Sequence, residues 1–191
     1  MVSAQEKLLY VAKKLGLSTL KYMQGSTRCV YDSMPAAASS FNFFKNVSQR
    51  SFPATNVDDN QFEANEALLI QSVCLFQVTD EGRIQDAIID SFPSKYLVRW
   101  ELVIGNKVVM KDMAQFDGVD YAFKVGVNST TNAGWIDLEA VGIVIPPLVD
   151  YQFNVSVYDL NADPTGNTLA DLQLACYLYG TGVLLNLNTS L

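Results

Sequence analysis

The spacing of apolar and polar positions changes along the chain. An early stretch follows a helical period. At about 100° per residue, Leu8, Leu9, Val11, Ala12 and Leu15 fall on one side, with Glu6, Lys7, Tyr10, Lys13 and Lys14 on the other. Ser3 and Glu6 have capping-box spacing, and Gly16 is a stop signal, so a helix is predicted over about 4–15. Lys13 and Lys14 lie at its C-terminal end, where the helix dipole favours cations. Its apolar face needs cover from the same subunit, a neighbour or lipid. Over 25–40 the pattern dissolves into small and polar residues, which reads as an extended linker. Phe41, Phe43 and Phe44 follow as an aromatic anchor.

Beyond a turn-like boundary at 52–56 the period becomes two. Residues 67–78 read as a strand buried on both faces, with Leu69, Val73 and Leu75 on one and Ile70, Cys74, Phe76 and Val78 on the other. A short strand is expected at 84–89. Residues 97–104 alternate, with Val98, Trp100, Leu102 and Ile104 inward. Gly105 and Asn106 then signal a hairpin into 108–111. Further strands are predicted at 121–127, 135–145, 151–157 and 172–179, and an apolar stretch at 183–187 closes the chain. Short strands without intervening helices predict an all-β fold, and the count suits an eight-stranded jelly-roll sandwich. An immunoglobulin-like sandwich is the alternative, but the Cys-Trp-Cys pattern is missing. The expected organisation is a basic N-terminal arm (1–50) carrying the amphipathic helix, followed by the β-sandwich body (51–191).

Charge supports this division. Residues 1–50 carry Lys7, Lys13, Lys14, Lys21, Arg28, Lys45 and Arg50 against Glu6 and Asp32, a net of +5. The other 6 of 13 basic and 18 of 20 acidic residues give the remainder −12. Such asymmetry points to an arm with its own partner: nucleic acid, a membrane surface or the acidic body of a neighbouring copy. Asp58, Asp59 and Glu63, just before the first long strand, are candidate acids for an intersubunit contact. Only 17% of residues are charged, against about 25% in typical domains, while 49% are apolar. That balance suggests more burial than a lone monomer needs.

Several chemistries are excluded. The chain has no His, so Ser-His-Asp and Cys-His nucleophilic sites and imidazole metal sites cannot form. Cys29, Cys74 and Cys176 are odd in number and far apart, which argues for core thiols rather than a disulfide framework. Asp159, Asn161 and Asp163 begin like a calcium loop, but Pro164 and Ala170 stand where an EF-hand needs Gly and Glu. Asp86, Asp90, Glu101, Asp137 and Glu139 have no spacing that fixes a glycosidase pair. No catalytic, cofactor or metal residue is therefore assigned, and the chain is read as a non-enzyme. No signal peptide or spanning segment is expected, and Asn-X-Ser/Thr at Asn46, Asn128, Asn154 and Asn188 is read as incidental.

A basic, partly helical arm, a linker and an acidic eight-strand body resemble the single jelly-roll capsid proteins of small icosahedral viruses, including bacteriophages. The stretch Arg50, Ser51, Phe52, Pro53, Ala54, Thr55 and Asn56 leading into the first long strand belongs to that likeness. The resemblance implies a virion structural protein, made in the host cytoplasm, that self-assembles through its side faces. Its arm would line the shell interior and meet genome, internal membrane, other virion proteins or a neighbour. The alternative is a carbohydrate- or receptor-binding β-sandwich module such as a trimeric spike or decoration domain, motivated by the aromatic residues and the 159–163 loop.

Overall fold

The computed structural model describes residues 3–17, 23–77, 96–116, 135–138, 141–159 and 172–185. Among these residues one α-helix precedes nine strands, with a short 3-10 turn at Val47–Gln49: α1 (Ala4–Lys14), β1 (Gln24–Ala38), β2 (Ser40–Phe43), β3 (Glu66–Gln77), β4 (Tyr96–Ile104), β5 (Lys107–Phe116), β6 (Trp135–Asp137), β7 (Ile143–Ile145), β8 (Tyr151–Asp159) and β9 (Leu172–Leu184). All described strand pairs are antiparallel. One sheet runs β1-β9-β3-β6, with β7 also paired to β3, and the other runs β2-β8-β4-β5. β6 and β7 occupy successive stretches of one edge, so the sandwich has eight strand positions in two sets of four. Lettered B to I by position, the order is BIDG over CHEF, the order of a jelly roll.

The core lies between the sheets. β8 contributes Tyr151, Phe153, Val155 and Val157, and β4 contributes Val98, Trp100 and Leu102. From the other sheet come Leu174, Cys176 and Leu178, together with Leu68, Ile70, Val73 and Leu75. The Gly105-Asn106 hairpin forms as expected, with Gly105 at φ +58°. The expected strands at 84–89 and 121–127 lie outside the described residues.

Three expectations change. The linker over 25–40 is strand β1, paired along most of its length with β9. Its period was hidden because it buries polar residues: Asp32 and Ser33 are fully enclosed beside Val30. The Phe41 and Phe43 anchor is β2, and both rings stack in the core. Next, β3 changes phase. A bulge between Ile70 and Ser72 puts Leu68 and Ile70 inward before it and Val73 and Leu75 after it. Leu69 therefore faces outward under α1, not with Val73 as expected. Gly180 lies opposite the bulge, where an added Cβ would sit 1.9 Å from the Leu69 carbonyl oxygen. Only glycine admits that approach. Finally, the strand expected over 135–145 is two short strands. Gly142, at φ +64°, precedes the second.

α1 follows its sequence signals closely. Ser3 Oγ accepts from the Glu6 N–H, and the Ser3 N–H donates to the Glu6 carboxylate at 2.7 Å. The Ser3 hydroxyl, which also donates to the Glu6 carboxylate at 2.7 Å, and then the Ser3 N–H hold that carboxyl below its usual range. At the other end Leu17 N–H donates to Ala12 O and Gly16 N–H to Lys13 O, with Gly16 at φ +71°, a Schellman stop. The same chain covers the apolar face. Val11, with Leu8 and Leu15, packs on Ala67, Leu69, Val144 and Val183, the outer face of the β1-containing sheet. Leu9 turns out to solvent at 58% exposure. Tyr10, expected on the polar side, donates its hydroxyl to Gly142 O at 2.7 Å.

Candidate assembly surface

The two edges of the sandwich differ in construction. At the β1/β2 edge, residues 44–65 leave β2, run along β1 and cross one end of the sandwich to β3. Ser33 N–H donates to Ala54 O, Asn56 N–H donates to Tyr31 O, and Asn56 Oδ1 accepts from Tyr31 N–H. Asn56 Nδ2 donates to Cys29 O. These bonds occupy backbone groups that an edge strand would otherwise present to another chain. The crossing is anchored by Phe62, which stacks on Tyr151 at 5.1 Å and bridges to Pro147.

A buried ion pair fixes this loop. Asp32 Oδ1 accepts from Arg50 Nε at 2.8 Å, and Oδ2 accepts from Arg50 Nη2 at 2.6 Å and from Phe44 N–H at 2.7 Å. Arg50 also donates to Lys45 O. Burial raises the Asp32 carboxyl above its usual range, opposed by the Arg50 guanidinium and the Phe44 N–H. The bidentate fork and backbone bond hold one loop conformation. Just beyond it, Phe52 projects into solvent with 79% of its surface exposed. Asp58 and Asp59 follow on the same loop, also exposed.

The opposite edge is formed by β5 and by β6 with β7. Here the last turn of α1, the β4–β5 hairpin and residues 141–146 enclose an open cleft of about 380 Å³. Leu15, Ile104, Val109, Val141, Ile143, Val144 and Pro146 make its walls apolar, and among the described residues Lys14 and Lys107 are the charged side chains that line it. Val108, Val109 and Val141 are 51%, 45% and 53% exposed. The sandwich thus has one edge bearing an exposed aromatic and acids, and another bearing an apolar cleft lined by two lysines.

The predicted contact residues divide between these places. Lys13, Lys14 and Lys45 are exposed and Lys7 is half-buried, whereas Lys21 lies outside the described residues. Arg28 and Arg50 are engaged within the chain. Arg28 pairs with Glu66 at 2.9 Å and lies over the Phe62 ring at 4.8 Å. Arg50 holds Asp32. Glu63, like Asp58 and Asp59, is exposed on the 44–65 loop. Asp159 ends β8, and the rest of the 159–163 loop lies outside the described residues. Among the described residues no cluster of three His, Cys, Asp or Glu side chains is placed to hold a metal. Cys74 and Cys176 are buried free thiols whose pKa burial raises. Sequence reasoning missed Phe52 as a surface feature, although its place beside Pro53 in a polar loop was a signal. It missed the cleft because its walls are far apart in sequence.

No protein-family model and no curated protein matches the chain. Two solved structures of turnip yellow mosaic virus are similar to it. One, determined at 100 K, matches over 84% of this chain and 92% of that chain, at 8% identity and a TM-score of 0.41. The other matches over 88% of this chain and 97% of that chain, at 12% identity and a TM-score of 0.36.

Proposed function

We propose that the chain is a structural subunit of a virion shell, a capsid protein that works by associating with copies of itself. The observation that carries this reading is the BIDG/CHEF sandwich with apolar groups exposed at its edges in a chain of low charge. Jelly rolls serve chiefly as capsid, lectin and cupin domains. Imidazole-ligated metal chemistry is closed to a chain without His. A lectin gathers its exposed aromatic and polar groups at one pocket. Among the described residues the exposed large hydrophobic side chains Leu9, Phe52, Val108, Val109, Val141, Leu148 and Tyr179 are spread over α1, both edges, a loop and β9, as subunit contacts are. In this reading the role is not enzymatic, and Lys13, Lys14 and Lys45 are the exposed cations of the first fifty residues available to a neighbour or to the shell contents.

The test is light scattering with size-exclusion chromatography on the full chain, over a range of concentration, salt and pH, followed by imaging of whatever forms. Discrete large particles or oligomers are expected. A monomer at high concentration under every condition would overturn the proposal. Removing residues 1–40, the natural test of an arm, is not a clean one: it would delete β1 and unfold a sheet edge.

A further inference from the structure

The two edges are complementary. One carries a single large aromatic side chain on a loop pinned by an ion pair, with exposed carboxylates beyond it on the same loop. The other carries an apolar cleft lined, among the described residues, by the two lysines Lys14 and Lys107. They lie on opposite sides of the sandwich, because β1 and β2 end the two sheets on one side, and β5 and β6/β7 end them on the other. A chain cannot satisfy its own cleft with its own Phe52 across that width. A second copy can.

We propose that Phe52 of one copy seats in the cleft walled by Val109, Val141 and Val144 of the next, with Asp58 and Asp59 meeting Lys14 and Lys107. This deepens the shell-subunit reading and rests on it. Phe52 has little reason to remain exposed in a monomer. Transferring its ring from water into an apolar site is favourable. The cleft is large enough for one aromatic side chain and has walls of matching chemistry. The charges give the contact direction, since an acidic loop is attracted to the Lys14/Lys107 side and repelled by another acidic loop. A contact between unlike surfaces on opposite sides is heterologous. It repeats from copy to copy and closes into rings when the rotation permits, as a shell requires.

Copies carrying Phe52→Cys and copies carrying Val141→Cys, produced together and mildly oxidised, test this directly. Non-reducing electrophoresis should show a disulfide-linked dimer at least tenfold more abundant than with either variant alone or with the parent chain, whose own three thiols set the baseline. Both positions are exposed, so neither substitution threatens folding. As a second measurement, Phe52→Asp and the pair Lys14→Glu with Lys107→Glu should each weaken association by tenfold or more in light scattering. Combining the latter pair with Asp58→Lys and Asp59→Lys should restore it. If the parent associates but these variants associate equally well, the edge contact is wrong while the shell reading stands. A Val141→Cys copy that links to another Val141→Cys copy would replace it with a twofold contact. A parent chain that never associates would overturn both.

Discussion

Replacing Arg50 by Met should be among the most damaging single changes outside the apolar core. The substitution keeps an unbranched side chain of similar length but removes the cation facing Asp32. Asp32 is fully enclosed, and two of its three described hydrogen bonds come from Arg50, leaving the Phe44 N–H. Breaking a buried pair from one side costs about 3–5 kcal/mol, because the remaining charge is stranded. The surviving backbone bond, and an Arg50 side chain still 20% exposed, place the expected loss at the lower end, about 3 kcal/mol. Urea unfolding followed by tryptophan fluorescence, to which the buried Trp100 contributes, measures it. The loss should depend on pH. Without Arg50 the folded-state pKa of Asp32 rises further above its unfolded value, near 4. A group raised in this way contributes stability that is complete below the unfolded pKa and is lost as pH rises through the folded pKa. The deficit should therefore be full at pH 7 and shrink toward pH 4. Adding Asp32→Asn should recover at least half of it at pH 7 and remove the pH dependence. A loss under 1 kcal/mol, or one unchanged between pH 4 and 7, would refute the view that a stranded carboxylate is its source.

Gly180→Ala should cost about 3 kcal/mol, since its Cβ meets backbone and the sheet must part. Gly182→Ala, whose Cβ would sit 2.8 Å from the Arg28 Cβ, must displace the root of that side chain and should cost about 2 kcal/mol, less than the direct clash with backbone at Gly180, and equal losses would contradict the close-approach argument. Tyr151→Phe should be neutral or stabilising by up to about 1 kcal/mol in thermal melts, because the buried Tyr151 hydroxyl has no hydrogen-bond partner among the described residues. A larger loss would reveal a partner. Ser3→Ala should fray α1 and weaken the acid sensitivity that Glu6 confers. The carboxyl of Glu6 is lowered, so its contribution holds above the unfolded pKa and fades as pH falls through the folded one. Hydrogen exchange of the α1 amides between pH 3 and 6 reads this, and an unchanged profile would count against the capping box.

Parts of the fold were legible because one physical rule governed them. β8 alternates between core and surface over seven residues with no exception, and the capping box and Gly16 bracket α1. Failures came where a second rule intervened. β1 hides its period because buried Asp32 and Ser33 are satisfied by Arg50, Phe44 and Ala54, partners supplied by a later loop. In β3 the expected grouping of Leu69 with Val73 and Leu75 on one face fails because a one-residue bulge inverts every later side chain, and nothing local announces it. The acids Asp58 and Asp59 were visible as a surface cluster. Their relation to Lys14 and Lys107 was not, since those lysines come together only when α1 docks beside the β4–β5 hairpin.

The capped edge also bears on how copies meet. A sandwich can associate by adding strand to strand at an open edge, and such contacts tend to grow without limit. Along β1 that route is closed over the stretch where 54–56 already bond to it. The chain thereby protects backbone and presents a side chain, Phe52, from the same loop. Contact at that edge must be made by side-chain shape and charge. Such a contact is weaker per copy and more exacting in angle than a strand ladder. A closed shell needs both properties. Weak contacts let misplaced subunits leave, and a fixed angle lets the last subunit fit.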